Sequence, residues 1–324
     1  MRAVVLSSYG EVEVLQIQAV PDPVPGPEEV VVEIVATALN RADLLQRRGF
    51  YPGPPMPHEI PGMELSGRVV AHGERAHRWA LGDEVMAIVG GGAYAERTAV
   101  HERQLMAVPP SVPVADAAAI PEVFITAYDA LVVQGGLTSG RVALVHAGGS
   151  GVGTAAIQIA KAFGARVVVT ASAGKLERCL ELGADRAIDY ATEDFVAVVA
   201  ELFPDGVDTV LDVIGGDYVD RNVAAIRVGG RIVQVGVMGG GATSVNVGML
   251  LPKRAALIGT VLRARPLEEK IAITTRFAAE VLPRFEDALR PVIDSRYPLD
   301  AIADAHRHME ANANVGKIVI DVAS

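Results

Sequence analysis

The chain has 324 residues, half of them hydrophobic and 21% charged, which excludes an intrinsically disordered protein and suits two domains. Its 29 basic and 39 acidic residues leave a net charge of −10 with histidine neutral, which argues against binding nucleic acid by phosphate neutralisation. The single cysteine, Cys179, excludes an intrachain disulfide and a thiolate metal cluster and fits a reducing, cytoplasmic compartment.

The opening run Met1-Arg2-Ala3-Val4-Val5-Leu6 meets Ser7, Tyr9 and Glu11 too soon for a signal peptide. A loop carrying Pro21, Pro23, Pro25 and Pro27 leads into Val30–Val35, a β-rich run. Tyr51–Pro57 is too proline-rich for a helix or a central strand. Strands are predicted again around Gly67–Ala71 and Asp83–Val89. Short strands with frequent turns predict a compact β domain, in the manner of a partly open barrel.

Near Pro121 the pattern changes to alternating strands and helices. Arg141–His146 is a short apolar run, followed by a glycine cluster and by Thr154–Phe163 with helical spacing. Arg166–Thr170 is a second strand, and Lys175–Leu182 a helix that stops at Gly183. Further strands are predicted at Arg186–Ile188, Thr209–Val213, Arg231–Val235 and Ala255–Gly259. Continuous apolar runs of this kind suit strands covered on both faces, so the fold class is α/β, with a doubly wound parallel sheet of about six strands. Beyond it come a helix from Leu267 to Leu282, a strand near Val292, a helix at Asp300–Met309 and a last strand at Lys317–Val322. The uncharged stretches Val142–Ala160 and Ile232–Pro252 are long enough to span a bilayer, but each is broken by glycines and polar residues, so no membrane span is expected.

The segment Ala147-Gly148-Gly149-Ser150-Gly151-Val152-Gly153 follows a strand and opens a helix. Glycines there let the backbone approach a pyrophosphate, while the helix start offers N–H groups and the positive end of its dipole. Gly149, Ser150, Gly151 and Val152 are therefore candidate cofactor contacts, although Ser150 stands where a glycine is often found. An NAD site usually carries Asp or Glu about 20 residues on, at the end of the second strand. This chain reads Thr170-Ala171-Ser172-Ala173-Gly174-Lys175 there, without a carboxylate. Ser172 and Lys175 can instead donate to a 2′-phosphate, so NADPH is the expected cofactor.

No metal is expected. None of the seven histidines forms a ligand pattern such as HExxH, and His146, at the end of a buried strand, reads as a satisfied core residue.

Several segments together carry a family resemblance: Asn40-Arg41-Ala42-Asp43, Gly49-Phe50-Tyr51-Pro52, Pro61–Gly67, Thr126-Ala127-Tyr128, His146–Thr154, Asp212–Gly216 and Met309–Lys317. The chain resembles the zinc-independent medium-chain dehydrogenase/reductases of the NADPH:quinone oxidoreductase group, and its ending is similar to the tumour-suppressor-inducible branch. The resemblance implies a GroES-like catalytic domain over residues 1–121, rejoined by 267–324, around a Rossmann domain over 122–266. It also implies a homodimer. Zinc-containing members have Cys where this chain has Asn40, His where it has Met63 and a third ligand near Glu122; Glu64 alone cannot hold the metal.

Carried over by position, the family's cofactor contacts would include Thr126, Gly151, Val152, Lys175 and Tyr190. Val237, Met238, Gly239, Leu262 and Arg263 would lie near the nicotinamide end, with Asn314 close by. Asn40 and Tyr51 would border the acceptor pocket. Asn40 also has the plainer reading of a helix N-cap, and Tyr51 that of a packing residue.

Without a metal Lewis acid, a quinone is the natural acceptor, because it takes a hydride readily and its oxyanion can be met by donors or water. The expected activity is NADPH-dependent quinone reduction, with the protein mainly aligning the two rings and no strong catalytic acid visible in the motifs. An enone or enoyl reductase on the same scaffold is the alternative. A more distant one is an RNA-binding protein of the zeta-crystallin type, against which the charge and the lack of a basic stripe argue.

Overall fold

The computed structural model describes residues 1–322. Its strands are, in chain order, β1 Arg2–Leu6, β2 Leu15–Ala19, β3 Glu29–Ala38, β4 Glu64–His72, β5 Glu84–Ile88, β6 Arg97–His101, β7 Met106–Ala107, β8 Val142–His146, β9 Arg166–Ala171, β10 Arg186–Asp189, β11 Val207–Asp212, β12 Ile226–Gln234, β13 Ala256–Gly259, β14 Ile293–Pro298 and β15 Lys317–Asp321. The chain divides into two compact units, Met1–Glu122 with the segment from Arg263 onward, and Val123–Leu262.

In the first unit one sheet has the order β14-β15-β3-β4-β5-β7, and β6 also pairs with β3. The spine is β3, whose alternating Val30, Val32 and Ile34 face a core shared with Leu65, Val69, Val85, Ile318 and Ile320. Each such side chain contributes about 1.5–3 kcal/mol when fully buried. Strand β15 runs antiparallel to β3 with Val319 opposite Ala38, while β4 lies on the other side with Leu65 opposite Thr37. These registers bring Lys317, Glu64 and the residues just past Ala38 to one end of three neighbouring strands.

In the second unit six parallel strands follow the order β10-β9-β8-β11-β12-β13. All five residues of β8 are buried, as are five of the six in β9. Such strands cannot alternate polar and apolar residues, because both faces are covered. The strand order reverses between β8 and β11, and the crevice at the carboxyl ends of such strands is where doubly wound sheets bind ligands.

Several boundaries differ from the predicted ones for local reasons. The helix after β8 spans Gly151–Ala162, so the glycine run is its first turn and not only its approach. Lys175 closes a 3-10 turn, Ala173–Lys175, and the α-helix proper is Leu176–Glu181. The helix from Leu267 stops at Glu280, and Pro283 sits in a following 3-10 turn, Leu282–Glu286, where its missing N–H costs nothing. The helix expected from Asp300 starts at Ile302 after the 3-10 turn Leu299–Ala301, and the last strand ends at Asp321. Among the described residues no helix is long and apolar enough to cross a membrane.

Candidate active site

The glycine turn of the second unit is built around one capping serine. Ser150 is the N-cap of Gly151–Ala162, and its Oγ accepts the Gly153 N–H at 3.0 Å. Helix geometry leaves the N–H groups of Gly151 and Val152 without an intrahelical acceptor. A Cβ on Gly153 would lie 2.3 Å from the Ala147 carbonyl oxygen, so only glycine lets the helix start so close to the preceding turn. A Cβ on Gly149 would lie 2.7 Å from Lys175 Cδ. The Lys175 stem therefore crosses the face of the turn, and two candidate residues 26 positions apart in sequence are in contact.

Beneath the turn a buried network ties four elements together. His146 at the end of β8 places Nδ1 3.0 Å from Thr170 Oγ1 and Nε2 2.7 Å from Asn222 Oδ1. Asn222 Nδ2 in turn donates to Asp212 Oδ2 at 2.8 Å, and Asp212 Oδ1 accepts the N–H groups of Ile214 and Gly215. With the amide oxygen of Asn222 accepting, the imidazole proton sits on Nε2 and Nδ1 accepts from the threonine hydroxyl. Burial lowers the His146 pKa, so the ring is neutral. It is a core residue that fixes strand ends.

The other residues assigned to this unit gather at the same carboxyl ends of the sheet. Ser172 follows β9, and half-exposed Tyr190 follows β10, donating its N–H to the Ala171 carbonyl. Val237 and Met238 are about half exposed, and Met238 and Gly239 donate N–H groups to Val213 and Ile214. Thr126 is buried with its hydroxyl unpartnered among the described residues, an unmet donor of the kind a ligand satisfies. Leu262 is buried at the unit's end. A dinucleotide fits the chemistry of these residues: backbone N–H groups at a helix start, an unpartnered buried hydroxyl at Thr126 and a lysine stem across the turn.

The first unit holds a compact polar cluster at the shared end of β3, β4 and β15. Lys317 Nζ donates to Leu39 O at 2.6 Å, Asn40 Oδ1 at 2.7 Å and Glu64 Oε1 at 2.7 Å. Asn40 Nδ2 also donates to Glu64 Oε1, while Glu64 Oε2 accepts the Glu122 N–H at 2.8 Å. The Asn40 N–H donates to Asp43 Oδ2 three residues on, which closes the first turn of Arg41–Arg47. Asn40 stands at the helix start, as its plainer reading has it, while its side chain is engaged by Lys317 and Glu64. Asp43 is fully buried beside Tyr94, and burial pushes its carboxyl up to about 6. Asn314, buried nearby in sequence to Lys317, donates Nδ2 to Gly316 O.

Tyr51 and Arg263 form a second part of this cluster. The Arg263 guanidinium carbon lies 5.0 Å from the centre of the Tyr51 ring. The same group donates to the carbonyls of Gly90 at 2.6 Å and Tyr51 at 3.2 Å and to Gln46 Oε1 at 2.7 Å. These bonds brace the proline-rich segment and hold the half-buried Tyr51 ring against the guanidinium. Burial and the neighbouring Glu122 raise the Tyr51 pKa, so its hydroxyl remains a donor at neutral pH.

Sequence reasoning passed over two members of this cluster. In the sequence Lys317 opens a last strand and closes the family-like ending, and nothing there marks it as a site residue, because its partners lie 253 and 277 positions away. Glu122 carries an acid where the motifs showed none. Burial, then the like charge of Glu64, pushes its carboxyl up to about 8. The pair Pro121-Glu122 at a helix start was a visible signal, but an acid there is equally explained by the helix dipole.

Residues 26–110 match the alcohol dehydrogenase GroES-like domain, and residues 151–279 match the zinc-binding dehydrogenase family. The synaptic vesicle membrane protein VAT-1 homolog of Rattus norvegicus is 33% identical over 341 residues, covering 99% of this chain and 84% of the relative. The NADPH-dependent alkenal/one oxidoreductase of Arabidopsis thaliana is also 33% identical, covering 99% and 79%. Among solved structures, the Escherichia coli quinone oxidoreductase complexed with NADPH superposes with a TM-score of 0.89 at 27% identity, covering 99% of this chain and 100% of that one. The chain belongs to the medium-chain dehydrogenase/reductase family, in its quinone-oxidoreductase type. It is an α/β protein with a GroES-like domain and a Rossmann-type parallel-sheet domain, and it is an oxidoreductase.

The zinc in the matched family's description does not fit the residues present. Both oxygens of Glu64 are already engaged, and a lysine ammonium stands among the oxygens a cation would need. Among the described residues no three His, Cys, Asp or Glu side chains group to hold a metal.

Proposed function

We propose that the protein is a zinc-independent, NADPH-dependent reductase of conjugated carbonyl acceptors, with quinones as the first substrate class. The observation that carries this proposal is the Lys175 stem lying across Gly149, with Ser172 beside it and no carboxylate at the end of β9. That arrangement suits a phosphorylated ribose better than a free one, whose 2′-hydroxyl usually meets an acid. The NADPH named for both the Arabidopsis relative and the Escherichia coli structure supports the same choice.

On this proposal the unit Val123–Leu262 is the NADPH-binding domain and the other unit the catalytic one. Gly149, Ser150, Gly151 and Val152 hold the pyrophosphate through backbone N–H groups and the helix dipole. Ser172 and Lys175 hold the 2′-phosphate. Thr126, Tyr190, Val237, Met238, Gly239, Leu262, Arg263 and Asn314 complete the contacts on the family's pattern. When bound, NADPH supplies a hydride. Tyr51 offers the acceptor a flat face and a hydroxyl, braced by Arg263, while Asn40 keeps Glu64 and Lys317 paired.

The enone reading is favoured by Glu122, fixed through its N–H to Glu64 and with its carboxyl pushed up to about 8 by burial and Glu64, since an enolate needs a proton more than a hydroquinone anion does. NADPH and NADH oxidation against a panel of quinones and enones tests both. Turnover of neither class would sink the proposal. We further infer a cytoplasmic homodimer, supported by the buried lone cysteine and by the edge strand β13 with exposed Leu257, Val247 and Leu251 close to it in sequence.

A further inference from the structure

We propose that Glu122 is the proton donor of the reaction, delivering its carboxylic proton to the acceptor's carbonyl oxygen as the hydride arrives. The inference rests on the reductase proposed above and adds to it the acid that the motifs lacked.

The geometry begins with the backbone. The Glu122 N–H is held by Glu64 Oε2 at 2.8 Å, so the residue is fixed at the start of the helix Pro121–Tyr128. Its carboxyl makes no hydrogen bond or ion pair with any described residue, although every other acid of the cluster does. Glu64 is committed to Lys317, Asn40 and the Glu122 backbone, and Asp43 to the Asn40 N–H. Glu122 is half-buried as a residue, and its carboxyl is the one in the cluster left without a partner among the described residues, which is what a donor to a bound ligand requires.

Its electrostatic surroundings hold the proton in place. The charged and titratable groups acting on Glu122 are Glu64 and Asp43, which oppose its ionisation, and Lys317 and Arg263, which favour it. Tyr51 feels Glu122 in return, so the acid and the aromatic that would stack on the acceptor share one electrostatic neighbourhood. Burial is the largest of these influences and the neighbouring Glu64 the next, and Lys317 and Arg263 offset only part of them. The acid is therefore still protonated at neutral pH, with a value of about 8.

The step balances without a further reagent. The acceptor gains an electron pair with the hydride, and negative charge grows on its carbonyl oxygen. The O–H bond of Glu122 breaks, a new O–H bond forms on that oxygen, and the carboxylate left behind recovers a proton from water.

The test uses Glu122→Gln, which keeps the shape and the neutral charge but has no proton to give. In the cofactor-free protein, the wild type should lose unfolding free energy relative to Glu122→Gln as pH rises from about 4.5 to about 8. The sign follows because the folded wild type keeps a proton that the unfolded chain has released. In turnover, kcat/KM of the wild type should fall as pH rises through about 8, while Glu122→Gln loses that limb and roughly 10²-fold or more in kcat at neutral pH. An enone should suffer more than a quinone. Parallel stability curves for the two proteins would overturn the proposal without any assay of turnover. A wild type that reduces an acceptor no faster than Glu122→Gln would overturn it while leaving the reductase assignment standing. A wild type that reduces neither class of acceptor overturns that assignment, and the proton-transfer step with it.

Discussion

Lys317 Nζ lies 2.7 Å from Glu64 Oε1, and the two side chains are almost completely buried although 253 positions separate them. A buried pair of this kind is costly to break, because removing one charge leaves the other uncompensated. Lys317→Met should therefore destabilise the protein by about 3–5 kcal/mol in denaturant unfolding. Adding Glu64→Gln should recover much of that loss, since the orphaned charge is then gone. A double variant as unstable as the single one would mean that Lys317 acts through packing alone.

The same pair bears on metal content. With Glu64 engaged on both oxygens and an ammonium in its midst, the purified protein should contain no stoichiometric zinc by elemental analysis. Chelator should leave turnover unchanged. One tightly bound zinc per subunit would contradict the site as described.

Cofactor choice can be tested from both sides of one contact. Lys175→Ala should cost about 1.5–3 kcal/mol of NADPH binding, the range for a hydrogen bond to a charged group, with NADH barely affected. Gly149→Ala should act in the same direction, because its Cβ would stand 2.7 Å from Lys175 Cδ and push the stem off the turn. Calorimetric titration with each nucleotide measures both. Equal losses for NADPH and NADH in Lys175→Ala would show that the lysine does not read the 2′-phosphate.

Tyr51 separates by substitution into a face and a donor. Tyr51→Phe keeps the ring that Arg263 braces, while Tyr51→Ala removes it. If stacking dominates, Phe retains most activity and Ala raises the quinone KM. We expect this outcome, because the Tyr51 ring is only half-buried and water can replace its hydroxyl. A loss of kcat in Tyr51→Phe approaching the 10²–10³-fold seen for a removed oxyanion donor would assign the role to the hydroxyl instead. Stopped-flow reduction of one quinone by both variants distinguishes the two.

What the amino-acid sequence determined alone was local. Apolar runs broken by glycine specify the parallel strands, because a strand covered on both faces cannot be polar on either. The glycine run after His146 specifies the turn, though its cap at Ser150 is a finding of the structure, and the missing carboxylate after Thr170 is legible wherever a second strand can be recognised. The polar cluster was decided only by tertiary structure. Lys317, Glu64 and Asn40 meet because β15 and β4 flank β3 in one register, and a slip of one residue would turn Lys317 to the other face of the sheet. Glu122 is an ordinary helix-start acid in the sequence. It becomes a neutral one only where burial and the charge of Glu64 act on it together, and both are set by which strands pack beside it.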